Sequence, residues 1–300
     1  MFPVVHPGEV QEFLHIVTDV FPLFPYHSDL YADGWTEGNS FYARRGKSVA
    51  ILERMNKPGK KILATGNGKC NFTNNNMDTS RFHGNIQLIQ SVLDRFSKED
   101  TLSFFHEIGI WPKEKNGYYY PNSGQAVSVV EAFNHELNRL HVPVYLEQEV
   151  LDLFPDKYGF RIKTVQTSYT CRNVIVASGL LAASKLGSDG SMFSVIKELG
   201  HRFVPVLPAL CGFYAKGIPF SKVAGVRCDA NLTLKIDGDT ATTEHGELQL
   251  TDYGISGIPV FQISSPAVRA LYEKKTVAVA IDFLRSEEHT SELQSLFAIS

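Results

Sequence analysis

Cysteine is scarce and scattered. Cys70, Cys171, Cys211 and Cys228 are the only four in 300 residues, and no two form a C-x-x-C pair. This excludes a disulfide framework and a zinc knuckle and suits a reducing cytoplasm. Long apolar runs are missing too. Residues 173–183 fall well short of the roughly 20 residues that a bilayer demands, and residues 13–24 are interrupted by Asp19 and Pro22. The first residues carry no basic stretch of the kind that opens a signal peptide, so no membrane partner is expected. Neither charge is in excess: 29 Lys+Arg against 32 Asp+Glu leave a net charge of -3, which supplies no general pull toward nucleic acid. His83, His106, His135, His141, His201 and His245 lie without metal-ligand spacing, and no metal is expected.

What is present begins with a short apolar run at residues 48–52, rich in β-branched side chains, which reads as a buried strand of a parallel sheet. Glu53 follows at the C-terminal edge of that strand, where open α/β sheets bind ligands and where a carboxylate can accept hydrogen bonds from a ribose diol. Next come a turn, Lys57-Pro58-Gly59-Lys60-Lys61, and a second glycine-rich segment, Thr65-Gly66-Asn67-Gly68-Lys69-Cys70-Asn71. Two glycines one residue apart allow close backbone approach to a ligand, and Lys60, Lys61 and Lys69 could balance a pyrophosphate. Taken alone, the Gly-Asn-Gly loop is equally well read as a surface turn with solvated lysines.

The whole of residues 53–74 is more specific. Asn56, Pro58, Gly59, Lys61, Thr65, Gly66, Asn67, Gly68, Lys69, Cys70, Asn71, Thr73 and Asn74 fall on the pattern N-x-P-G-x-K followed by T-G-N-G-[RK]-C-N-x-T-N. In this the chain resembles the BaiN-type family of FAD-dependent, NAD(P)H-linked oxidoreductases. Tyr120-Pro121-x-Ser123-x-x-Ala126 resembles the family's next element, and Thr251–Gly257 its T-x-x-G-I-S-G. The resemblance implies FAD with its ribose at Glu53, phosphates near Lys60 and Lys61, adenine at the Val150 backbone, and the loop of Gly66, Asn67, Gly68, Cys70 and Asn71 beside the flavin. Ser178 and Gly179 match the turn that closes the nucleotide-binding half, with Leu180 in place of a second glycine.

The resemblance starts only near Tyr42. A dinucleotide-binding domain opens with an apolar strand and G-x-G-x-x-G about 20 residues before its acidic residue. Here residues 31–41 hold Gly34 and Gly38 at the wrong spacing, with Trp35 about where the family has its last glycine. Residues 1–41 are therefore expected not to be family sequence, as after a frameshift or a wrong start. At the other end, residues 285–295 match the in-frame translation of a common sequencing-adapter oligonucleotide, so 285–300 are expected to be a foreign tail. Residues 1–40 and 285–300 are expected to pack loosely.

Between them, helical spacing of apolar residues marks 87–96, 98–108, with Ser97 as N-cap, and 126–140. Strands are expected at 142–146, 158–165, 169–172 and 173–177, and a helix at 193–199 stopped by Gly200. From residue 201 short strands separated by turns, at 205–210, 230–236, 246–250 and 277–283, suggest an all-β insertion. The expected fold class is α/β: a Rossmann-like FAD-binding domain on a parallel sheet at 42–200, incomplete, and an inserted all-β domain at 201–284, also incomplete.

No side chain transfers hydride by itself, so an oxidoreductase reading requires a cofactor. The resemblance implies FAD and NAD(P)H, with a small-molecule substrate, an activated alkene of steroid or bile-acid type, and no nucleic acid. Two other readings stay open: an inactive fragment of such a flavoprotein, and a nucleotide- or RNA-binding module using residues 57–69 as a basic patch. The latter lacks interleaved aromatics. Cys70, a lone thiol, reads as structural more readily than as redox-active. The oligomeric state is left open.

Overall fold

A computed structural model of the chain describes residues 11–17, 43, 47–82, 84–215, 220–283 and 294–298, the strands 11–17 and 294–298 by their backbone alone. The chain divides into two units, Met1–Phe203 and Val204–Ser300.

The first unit is built on a six-stranded sheet. Strands β1 (Gln11–Val17), β2 (Val49–Glu53), β6 (Val144–Tyr145), β7 (Val150–Asp156), β8 (Gly159–Thr164) and β9 (Ser168–Ala177) run in the order β6-β2-β1-β9-β8-β7. The first four in that order are parallel, and the last pairings are antiparallel. All five residues of β2 are buried, as expected of a strand covered on both faces. Alternation sends Val49 and Ile51 to one side and Ala50 and Leu52 to the other. The first side packs with Ile62, Phe72, Phe105, Val129 and Phe133, the second with Val150, Leu153, Ile162 and Met192.

Helices α1 (Lys60–Ala64), α3 (Lys98–Glu107) and α4 (Ala126–Arg139) pack on the Val49 and Ile51 side, as does Tyr119 of a small antiparallel sheet of β3 (Thr73–Asn74), β4 (Pro112–Lys115) and β5 (Tyr118–Pro121), while α2 (Ile86–Leu93) buries none of its residues. Ser97 caps α3 through a full capping box with Asp100, each side chain bonded to the other's backbone N–H. In α4 the apolar stripe Val129, Val130, Phe133, Leu137 is buried, and Phe105 stacks on Phe72 with ring centroids 4.1 Å apart. Helix α5 (Phe193–Glu198) closes the unit, followed by Gly200 at φ 92°.

The second unit is a fully antiparallel sheet, β10 (Phe213–Tyr214), β11 (Arg227–Ile236), β12 (Asp239–Leu250), β13 (Gly254–Gly257), β14 (Val277–Asp282) and β15 (Gln294–Ala298), in the order β10-β13-β12-β11-β14-β15. Helix α6 (Ile258–Tyr272) covers one face, burying Val260, Ile263, Ala267 and Ala270 against Leu232, Leu234, Leu248 and Val279.

Several expectations need correction. Residues 11–17 are not loosely packed: β1 lies between β2 and β9 and pairs with both. Residues 294–298 pair with β14. The rest of both terminal stretches, including Gly34, Trp35 and Gly38, lies outside the described residues. Residues 169–177 form one strand, because the backbone continues its pairing with β8 into its pairing with β1. Residues 205–210 form no strand. The second sheet carries a 15-residue helix, α6, in a stretch read only for strands and turns, and Gly254–Gly257 form a strand as well as a turn. Pro266 inside α6 hid the helix, since proline removes a backbone donor and ordinarily ends one. Pro259 instead favours its start.

Candidate functional site

The parallel strands end in one line. Val17 of β1 is in register with Glu53 of β2 on one side and with Ala177 of β9 on the other. Among the described residues, the C-terminal edge of the sheet, where this class of fold binds ligands, is thus built from Val17, Glu53 and Ser178-Gly179. Glu53 is completely buried, and its Oε1 accepts a hydrogen bond from the Met55 N–H at 2.6 Å. Its parity places it on the face of Val49 and Ile51. Its carbonyl accepts from Gln148 N at 2.9 Å, which brings residues 148–150 alongside it. Val150 then packs in the cluster containing Ala50 and Leu52.

After β2 the chain turns at Gly59, φ 77°, which no Cβ could replace: it would meet Val130 Cγ2 at 2.9 Å. That close approach seats α1 against α4. Expected to be a turn, Lys60 and Lys61 instead open this helix. Lys61 is buried and donates to the Ala182 carbonyl at 3.2 Å, tying α1 to the loop after β9. Lys60 is half-buried, and its side chain makes no hydrogen bond or ion pair among the described residues.

The Gly-Asn-Gly loop is a run of left-handed backbone. Gly66 (φ 53°), Asn67 (φ 54°), Gly68 (φ 80°) and Cys70 (φ 57°) all lie in that region, which asparagine and glycine enter most readily. Lys69, between them, is right-handed. Successive residues of opposite hand turn their N–H groups toward one concavity. Here Lys69 N and Cys70 N are bonded back to Thr65 O, each at 3.2 Å, so these two donors brace the loop itself. Gly66, Asn67, Gly68 and Lys69 are exposed. A Cβ on Gly66 would stand 3.1 Å from Asn71 N and 3.8 Å from the Tyr120 ring. Burial, and after it the neighbouring Tyr118, hold the Tyr120 phenol above its ordinary value, so it remains a neutral hydroxyl. Cys70 turns away from any reagent, fully buried beside Phe72 and Phe105.

Asn71 Oδ1 and Thr73 Oγ1 are buried and have no hydrogen-bond partner among the described residues. Such atoms are uncommon in folded proteins, because an unmatched polar group loses its water without compensation.

Arg54, which the sequence reading passed over, ties the edge together. Its Nη1 donates to Asp189 Oδ2 at 2.8 Å and approaches Glu149 Oε1 at 3.7 Å, and its Nη2 donates to the Gly187 carbonyl at 2.8 Å. Burial pushes the Asp189 carboxyl up, but hydrogen bonds from Arg54 and Ser191 outweigh it and hold the group below the ordinary aspartate value. Ser188 beside it is fully buried, its hydroxyl directed at Leu180 O at 3.4 Å. An arginine next to an acidic strand end, with an Asp in a glycine-flanked loop, was the available signal.

The residues named from sequence therefore fall into two groups. Glu53, Val150, Ser178 and Gly179 come together at the sheet edge. Lys60, Lys61, Gly66, Asn67, Gly68, Cys70 and Asn71 form a continuous helix and loop on the Val49 and Ile51 face. Tested against a flavin nucleotide, the described residues offer a buried carboxylate at Glu53 and the unmatched polar atoms of Asn71 and Thr73. The sequence after β1 does not match a phosphate cradle, for it holds no glycine between Val17 and Gly34. Among the described residues no helix is long and apolar enough to cross a membrane, and no group of three or more His, Cys, Asp or Glu could hold a metal ion.

The chain is 43% identical over 250 residues to a 3-dehydro-bile acid delta(4,6)-reductase of Clostridium scindens, covering 83% of this chain and 61% of that protein. It is 29% identical over 262 residues to a ribosomal RNA dihydrouridine synthase of Haemophilus influenzae, covering 84% and 62%. It thus spans about three-fifths of the length of these relatives. Among solved structures, a 3-ketosteroid-delta4-(5alpha)-dehydrogenase from Rhodococcus jostii RHA1 aligns over 93% of this chain and 68% of its own at 12% identity, with a TM-score of 0.46, a likeness too loose to support a conclusion. The model of the HI0933-like protein Rossmann domain matches residues 38–277. The chain belongs to the HI0933-like Rossmann-domain family, the BaiN-type group whose signature it carries at residues 53–74.

Proposed function

We propose that this chain carries the nucleotide-binding part of a flavin-dependent reductase that saturates a carbon–carbon double bond conjugated to a carbonyl. The observation that supports it most directly is the buried Glu53 carboxylate at the C-terminal edge, in register with the ends of β1 and β9 and bonded through its backbone to the chain leading to Val150. That is the place and the chemistry for gripping a ribose. The relatives' names fit the reaction: a delta(4,6)-reductase removes double bonds, and a dihydrouridine synthase adds two hydrogens to a uracil ring. FAD, held by Glu53, the Val150 backbone and the loop 66–71, would supply the hydride-carrying ring. NAD(P)H is the proposed reductant.

The substrate we favour is a small steroid-like enone rather than RNA. The identity is greater to the bile-acid enzyme, and the net charge of -3 does not draw a polyanion. The chain's own residues would exclude water and hold the ring. The Gly66–Gly68 loop lets a ligand approach the backbone, and Tyr120 offers a neutral hydroxyl near it.

Titrating the purified chain with FAD tests the reading. Quenching of flavin fluorescence with saturation supports it, and a chain that leaves the fluorescence of free FAD unchanged overturns it. Where FAD binds, anaerobic mixing with NADH or NADPH and then a conjugated steroid ketone or a uridine-containing RNA separates the two substrate classes.

A further inference from the structure

The loop that leads into β3 buries two polar atoms for which the fold supplies no match. Phe72, between them, turns into the core and stacks on Phe105, while its N–H bonds to Tyr119 O at 3.0 Å and Asn75 N bonds to Gly117 O at 2.8 Å. Residues 72–75 therefore run as an extended ribbon beside 117–119. In an extended chain alternate residues share a face, so Thr73 lies on the side away from Phe72, and Asn71 stands two positions before it at the start of the ribbon. Thr73 is 2% exposed, yet its hydroxyl has no partner among the described residues, and neither has Asn71 Oδ1. Each costs stability that an isosteric apolar side chain would not.

We infer that Asn71 and Thr73 form a recognition pair for a cyclic imide edge, the C(=O)–N–H–C(=O) sequence found on the pyrimidine side of a flavin ring and on uracil. The chemistry of the atoms sets the class. A carboxamide oxygen only accepts, so the ligand must present a donor to Asn71. A threonine hydroxyl can donate to a carbonyl beside that donor. A steroid ketone carries an acceptor alone and would leave Asn71 unmatched. An imide carries both, side by side. The inference rests on the proposed function in taking the ligand to be flavin or the base of a uridine substrate, and it adds a residue, Thr73, that neither the signature nor the comparisons assign a role.

The test uses the full chain with four probes: FAD, 3-methyl-FAD, uridine monophosphate and 3-methyluridine monophosphate. Methylation at N3 removes the imide donor and little else. The wild-type chain should bind FAD at least about tenfold more tightly than 3-methyl-FAD, the loss expected for one buried hydrogen bond. In Asn71→Leu that preference should vanish. Thr73→Val should weaken FAD by about tenfold while raising the melting temperature of the ligand-free chain, because it deletes an unmatched buried hydroxyl. A purely structural threonine cannot give opposite signs in the two measurements. The same pattern with the uridine pair and not with FAD would assign the imide to substrate, keeping the inference and removing flavin from this site. FAD binding that ignores N3 methylation and both substitutions would overturn the inference while the proposed function stands. A chain that binds none of the four probes would overturn both.

Discussion

One buried hydroxyl in each unit, Ser264 and Thr73, meets an opposite environment. In the second unit, the core between α6 and the sheet buries among the described residues one hydroxyl completely, Ser264, and it is matched twice: it accepts from Leu210 N and donates to Phe261 O, both at 2.7 Å. Around it stand Leu232, Leu234, Leu248, Val260 and Ile263, all without exposure. In the first, the ground after β2 buries Glu53, Lys61, Asn71 Oδ1 and Thr73 within 21 residues, and two of those side chains keep an unmatched atom. The first unit spends stability at the site proposed above for the ligand, as functional sites do.

The largest effect that should sharpen this contrast comes from Leu232→Ala. Deleting a fully buried leucine should cost about 2–5 kcal/mol by denaturant unfolding of the second unit, leaving FAD affinity at the first unit's edge unchanged. Equal loss of FAD binding would break the comparison. Glu53→Gln comes next: it keeps the shape but removes the charge that would strengthen hydrogen bonds from a ribose, and FAD titration should show a loss of about 1.5–3 kcal/mol. Ser264→Ala should destabilise by about 1–3 kcal/mol, since it strands the Leu210 N–H. Placed beside Thr73→Val, it sets a matched hydroxyl against an unmatched one, and the two melting temperatures should move in opposite directions.

The smallest effect concerns pH. Asp189 is held below its ordinary value in the folded chain, so the stability it contributes is fully present above the ordinary aspartate range and is lost as pH falls through the lowered folded value. Its carboxylate is 37% exposed, so solvent screening keeps the Arg54 clamp to about 1 kcal/mol or less. Proteolysis of the 187–191 loop should quicken on acidification in the wild type and be insensitive to it in Asp189→Asn.

Most elements of the first unit were legible because their signals are local. Ser97 followed by Asp100 caps a helix with neighbouring atoms, and the spacing of Val129, Val130, Phe133 and Leu137 writes one face of α4. Helix α1 was missed because five residues beginning Lys-Lys after Pro-Gly carry no readable period, and its seat against α4 depends on Gly59 meeting Val130, 71 positions away. Helix α6 was missed because Pro266 outweighs, locally, an apolar stripe that only the facing sheet makes favourable.

By itself the amino-acid sequence determined the acidic strand end at Glu53, the glycine-rich loop at 66–70 and the family to which they belong, because each depends on side chains and backbone preferences within a few positions. Only the tertiary structure decided that residues 11–17 would stand between β2 and β9, that Arg54 would clamp Gly187 and Asp189, and that Thr73 would be buried unmatched. Those outcomes depend on which distant segments come together. Strand pairing and the matching of buried polar atoms are settled by partners far along the chain, and no local pattern encodes them.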